Sequence, residues 1–122
     1  MNEIAAMQKK NFSSPDETRT FDKGKIEVVT IGDFKLGRST FQPGWKWSTS
    51  VKPIVKTNSC QAHHVGYIVS GKLETVMDDG KKMLFGPGDA IDIPPGHDGW
   101  VVGNEPVILL DIIGADDYAK KK

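Results

Sequence analysis

The chain has 122 residues, 38% of them hydrophobic, and its sixteen basic and sixteen acidic side chains leave no formal charge. That length suits one domain of about 100–200 residues with a core that folds without staples. The neutral balance argues against a broad basic field for nucleic acid, and against a strongly charged disordered chain. A single cysteine excludes an intrachain disulfide framework and suits a reducing compartment. Gly and Pro together make about 16% of the chain, against an average near 12%, which favours short strands and tight turns. A small all-β domain is expected.

Residues 1–24 read as an N-terminal arm. Its one apolar patch, Ile4-Ala5-Ala6-Met7, falls short of the roughly 7–15 apolar residues of a signal peptide or the ~20 of a membrane span. The expected location is therefore the cytoplasm, with no membrane partner, and Asn11-Phe12-Ser13 matches a glycosylation triplet only by chance. Ser14-Pro15-Asp16-Glu17 has the pattern of a helix cap, but no apolar period follows, so at most one turn forms there. A short helix over Glu3–Lys10 is weakly favoured.

From Lys25 the texture changes to a barrel-like domain over 25–114. The β-branched run Ile26–Ile31 ends at Gly32-Asp33, and Phe34–Phe41 follows as a second strand. Gln42-Pro43-Gly44 is a turn, and Trp45-Lys46-Trp47-Ser48 alternates so that both indoles share one face of an extended segment. Lys52–Ser59 reads as a loop. His64–Ser70 and Lys72–Met77 are strands joined at Ser70-Gly71, and Asp79-Gly80 marks a hairpin into Lys82–Phe85. Gly86-Pro87-Gly88-Asp89 turns into Ala90–Ile93, and Pro94-Pro95-Gly96 leads towards Trp100–Val102 and Pro106–Ile113. Residues 115–122 form a polar tail ending in three lysines, too short to bind nucleic acid. Turn signals every 8–12 residues, without intervening helices, predict a sandwich or barrel.

Three segments carry a resemblance: His64–Gly71, then Gly86-Pro87-Gly88-Asp89, then Ile93-Pro94-Pro95-Gly96-His97. In order and spacing they resemble the two motifs of the cupin superfamily. Phe41–Ser48, Ser59-Cys60-Gln61 and 94–106 look like a branch of small single-domain cupins, many without an assigned activity. The resemblance covers roughly Arg38 to Asp111 and implies a double-stranded β-helix, or jelly-roll barrel. It also implies a homodimer, in which the arm and the strand Ile26–Ile31 would add to a partner's sheet edge. The family's metal pattern is altered. Its His-x-His and Glu positions fall on Asn58, Cys60 and His64, and its second-motif histidine falls on Gly99, two residues after His97.

Strand parity places Cys60, Ala62 and His64 on one face, with Gln61, His63, Val65 and Tyr67 on the other. His97 shares the parity of Gly99. Cys60, His64 and His97 are thus the expected ligands of a divalent metal, with an open position left for water or substrate. Thiolate and imidazole suit Zn²⁺, with Fe²⁺ or Ni²⁺ as alternatives. The competing expectation is a barrel without metal, in which Cys60 is a small buried apolar group and the histidines are hydrogen-bonded pocket residues.

Trp45, Trp47, His63, Tyr67 and Asp98 complete the candidate ligand pocket. The indoles serve equally as core or interface, Asp98 as a backbone cap, and Tyr67 as core or interface. No dinucleotide fingerprint, phosphate loop, nucleophile elbow or Cys-x-x-Cys pair is present. Two functions follow: a barrel that binds a small polar or anionic metabolite, with or without a metal, or a metal-dependent isomerase, lyase or dioxygenase. A partner-binding β module is a third.

Overall fold

The computed structural model describes residues 6–113. Among the described residues nine strands form two antiparallel sheets: β1 Glu17–Phe21, β2 Gly24–Ile31, β3 Phe34–Phe41, β4 His64–Ser70, β5 Lys72–Met77, β6 Lys82–Phe85, β7 Ala90–Ile93, β8 His97–Val102 and β9 Val107–Ile113. One sheet runs β1-β2-β3-β9-β4-β7 and the other β6-β5-β8. Two short helices, α1 Trp47–Ser50 and α2 Lys52–Val55, lie between β3 and β4. The expected tail 115–122 lies outside the described residues, as do residues 3–5 of the favoured Glu3–Lys10 helix. Residues 6–10 form no helix.

Alternation builds the interior. Ile26 and Val28 of β2, Phe41 of β3, Ile68 of β4, Leu73 of β5, Ile91 and Ile93 of β7, and Val107 and Leu109 of β9 point inward and pack into one cluster. The chain passes from one sheet to the other at Gly71, whose φ of +79° suits glycine and whose missing side chain makes room for the Pro106 carbonyl. Asp79-Gly80 closes the β5–β6 hairpin as expected, with the Gly80 N–H donating to Met77 O at 2.8 Å.

Four segments differ from the sequence expectation, among them the expected loop Lys52–Ser59, whose first four residues form α2. Part of the arm, Glu17–Phe21, is an edge strand paired to β2, and an edge strand does not need an apolar alternation to reveal it. The strand Ile26–Ile31 pairs with β3 along its length and with β1 over residues 26–28, so β1 rather than this strand forms the edge of the sheet there. The tryptophan segment is extended only as far as Lys46, which bridges Trp100; the N–H groups of Thr49 and Ser50 then donate to Lys46 O and start α1. α2 has Pro53 in its first turn, where the missing N–H costs nothing. The arm before β1 lies against its own sheet: Thr30 N–H donates to Asp16 Oδ2 at 2.7 Å, and Arg38 stacks on Phe12 at 5.0 Å. Among the described residues no helix is long and apolar enough to cross a membrane.

The inner row Gly37–Asp111–Gly66 crosses β3, β9 and β4. A methyl group at Gly66 would sit on the Leu110 carbonyl oxygen, whereas one at Gly86 meets nothing within 4 Å. Gly66→Ala is therefore expected to lose about 1–3 kcal/mol of stability through overpacking against backbone. Gly86→Ala should stay within about 0.5 kcal/mol of the parent. Urea unfolding of the two variants checks the contrast, and equal midpoints would contradict it.

Candidate metal centre

Three strand entrances bring the candidate ligands together. Cys60 forms an isolated bridge with His97: its N–H donates to His97 O at 2.7 Å, and its carbonyl accepts from Gly96 and His97. Gly96, at φ +95°, ends the Pro94-Pro95-Gly96 turn and releases the chain into β8, which starts at His97 rather than near Trp100 because Met77 of β5 pairs with it. His64 opens β4 opposite Ile93 of β7 and near Asp111 of β9. Cys60, His64 and His97 are 3%, 4% and 5% exposed, and each offers a ligand atom within 4.8 Å of the others.

Hydrogen bonds fix how the rings present themselves. His97 Nδ1 lies 2.8 Å from Pro94 O. A carbonyl only accepts, so Nδ1 carries a proton, and Nε2 is the ring atom that faces away from Pro94. His64 Nδ1 donates to the buried Asp111 Oδ2 at 2.5 Å, which leaves Nε2 4.0 Å from Cys60 Sγ. The carboxylate–imidazole and carbonyl–imidazole pairs are the outer contacts that orient metal-binding histidines.

Burial raises the Cys60 thiol, but its hydrogen bonds with His64 and His97, and their charge, outweigh burial and bring it down to about 6. Burial lowers His64, and the hydrogen bond to Asp111, then that to Cys60, raise it to about 9. Metal-free, the centre is a thiolate–imidazolium–carboxylate chain, and the thiolate is the form that ligates.

Zinc bonds of about 2.3 Å to sulfur and 2.0–2.1 Å to nitrogen put tetrahedral S and N atoms about 3.6 Å apart, against about 3.1 Å for right-angled octahedral positions. The observed 4.0 Å needs a closure of a few tenths of an ångström for the first and more than twice that for the second. The three side chains together could hold a metal ion.

Beside His64 and His97 lies a cavity of about 20 Å³, walled also by Phe41, Trp45, Trp47 and Thr75. That is room for one or two water-sized groups. Trp45 and Trp47 thus line the interior as part of the core, Trp45 stacked on Phe41 at 4.0 Å. The remaining pocket candidates stand elsewhere. His63 projects outward and pairs with Asp92 at 2.7 Å, as its parity requires. Tyr67 is 46% exposed and lines a groove of about 400 Å³ on the outer face, with Phe12, Leu36, Leu110 and Ile112. Asp98 caps backbone, accepting from Ser48 N at 3.1 Å and Gly99 N at 2.8 Å. Two residues of the site, Asp111 and Thr75, escaped the sequence reading. Both lie at inward parity, with Leu109 and Leu73, and a polar side chain at such a position was the available signal.

No family model and no curated protein matches the sequence. Solved structures do resemble the fold. A Cupin 2 conserved barrel domain protein from Salinispora arenicola is 14% identical with a TM-score of 0.57, the match covering 90% of this chain and 88% of that one. A cupin-superfamily sugar phosphate isomerase from Silicibacter pomeroyi is 20% identical at 0.59, covering 86% and 74%. A protein of unknown function from Rhizobium leguminosarum is 18% identical at 0.59, covering 89% and 97%. At such identities the likeness is one of fold: the described residues have the double-stranded β-helix fold seen in cupin-domain proteins.

In the metal-free protein the two ionisations pull stability in opposite directions. The lowered Cys60 adds stability that is complete above its unfolded value of 9.0 and is lost as pH falls through about 6. The raised His64 adds stability that is complete below 6.5 and is lost as pH rises through about 9. Between 6.5 and 9 the slopes oppose, so the pair's contribution stays nearly level. Cys60→Ala leaves only the falling slope. Urea unfolding should show the stability gap between parent and variant widening from pH 6.5 to 9, and a constant gap would contradict the thiolate–imidazolium pair.

Proposed function

We propose that this barrel binds a small anionic metabolite through a divalent metal, best Zn²⁺, held by Cys60 Sγ, His64 Nε2 and His97 Nε2. One observation carries the reading: three buried donor atoms lie within 4.8 Å of one another, and both ring Nδ1 atoms are already committed, to Asp111 and to Pro94 O. Three protein ligands leave a fourth position, and the cavity beside the two histidines is where it would open. A bound zinc supplies Lewis acidity to a ligand oxygen. Asp111 holds the His64 ring in place, Pro94 O holds His97, and the two indoles keep bulk water out of the interior.

The open fourth position favours a second reading, a metal-dependent enzyme of the isomerase, lyase or dioxygenase kind acting on a small oxygen-rich substrate. Turnover by the metal-loaded protein that disappears with His97→Ala would establish it. The proposal extends to a homodimer in the cytoplasm, where a lone thiolate ligand stays reduced. A monomeric mass by light scattering at micromolar concentration would count against the dimer.

Elemental analysis of the purified chain should find about one zinc per chain. Cys60→Ser, His64→Ala and His97→Ala should each lose it, while His63→Ala, altered on the outer face, should keep it. Asp111→Asn should weaken zinc binding by about 10–100-fold. Zinc retained by the His64→Ala and His97→Ala variants, or no uptake by the parent from a zinc buffer, overturns the reading.

A further inference from the structure

The cavity beside the histidines contains two polar groups with nothing to bond. Trp45 Nε1 and Thr75 Oγ1 are buried without a hydrogen-bond partner, on side chains only 4% exposed, and both residues wall the same cavity as His64 and His97. Leaving a buried donor unpaired is costly, so a fold that leaves two together at one cavity is shaped for something that pairs them. The stacking of Trp45 on Phe41 and the packing of Trp47 beside it hold these walls in place.

The chemistry of the two groups selects the occupant. An indole N–H only donates, and a hydroxyl donates or accepts, so the occupant needs an acceptor atom facing Trp45. The same atom faces the imidazole side of the site, where a ligand to a cation must also offer a lone pair. An ammonium or an apolar group meets neither demand. A volume of about 20 Å³ admits one or two heavy atoms and no ring or chain.

From this we infer that Trp45 and Thr75 form an oxyanion subsite that holds one anionic oxygen of a small ligand, a carboxylate or hydroxide oxygen, and sets the size limit of what the site accepts. The assignment rests on the metal reading above for the oxygen's second contact. Trp45 Nε1–H and Thr75 Oγ1–H grip the oxygen from the indole and β5 side. Only a terminal carboxylate oxygen enters; formate presents one without a bulky body, and a carboxylate that carries a ring is refused.

Formate and benzoate are the probes, added to the zinc-loaded chain while the indole N–H resonances of its three tryptophans are followed by NMR. Formate should shift the resonance that is missing from Trp45→Phe, and benzoate should not. Thr75→Val and Trp45→Phe should each weaken formate binding about tenfold, the effect of losing one hydrogen bond to a charged acceptor, with zinc content unchanged. Equal formate affinity in both variants with zinc retained overturns the subsite, as does benzoate binding as tightly as formate. If the parent takes up no zinc, the metal reading fails separately. The same formate titration of the metal-free chain then decides the subsite: a shift of the Trp45 resonance supports it, and no shift overturns it.

Discussion

A carboxylate that is 1% exposed cannot stay charged without a partner, and in this barrel the partner of Asp111 is the ring of His64. Removing one member of such a buried pair typically costs about 3–5 kcal/mol, because the other is left as an uncompensated charge. The pair joins β9 to β4 inside the larger sheet. Gly37 and Gly66 flank Asp111 on the neighbouring strands, and Asp111 Oδ1 remains without a partner of its own. Once His64 Nδ1 is committed to Asp111, its Nε2 faces Cys60. Once Cys60 bridges His97, the second ring stands within reach of both. The donor set follows from these two cross-strand constraints.

The packing that closes the barrel also defines what can enter it. Phe41, Trp45 and Trp47 fill most of the space that a wider barrel would leave for a metabolite. What remains beside the histidines is water-sized, and two unpaired polar groups lie in its wall. On the proposed reading, such a barrel would recognise a ligand by one functional group rather than by enclosing it. That narrows the class of ligand more than the fold does, since one fold hosts many chemistries.

Much of the architecture was legible because its signals are local. β3, β5 and β7 are strands with period-two burial, set off with β4 and β6 by Gly, Pro and Asp turns, and parity correctly separated inward His64 from outward His63 and Tyr67. Cys60, His64 and His97 were picked out from the same alternation around the two resembling motifs, and the structure brings them within 4.8 Å. β1 was hidden because ETRTF has no apolar stripe, and it takes its place by pairing to β2 and by packing Phe21 against the core. α1 was hidden because Trp45-Lys46-Trp47 carries an extended pattern while its helical turn comes from backbone bonds to Lys46 O. Asp111 was read as part of an apolar strand, and its pairing depends on a neighbour 47 positions away, which no local pattern reports.

The central claim is that one thiolate and two imidazoles of this chain make a single tetrahedral centre. X-ray absorption at the zinc edge of the loaded protein tests it directly. The account predicts one sulfur at about 2.3 Å and two imidazole nitrogens at about 2.0–2.1 Å, with a lighter donor in the fourth place. A first shell of nitrogen and oxygen alone, with no sulfur, would contradict it.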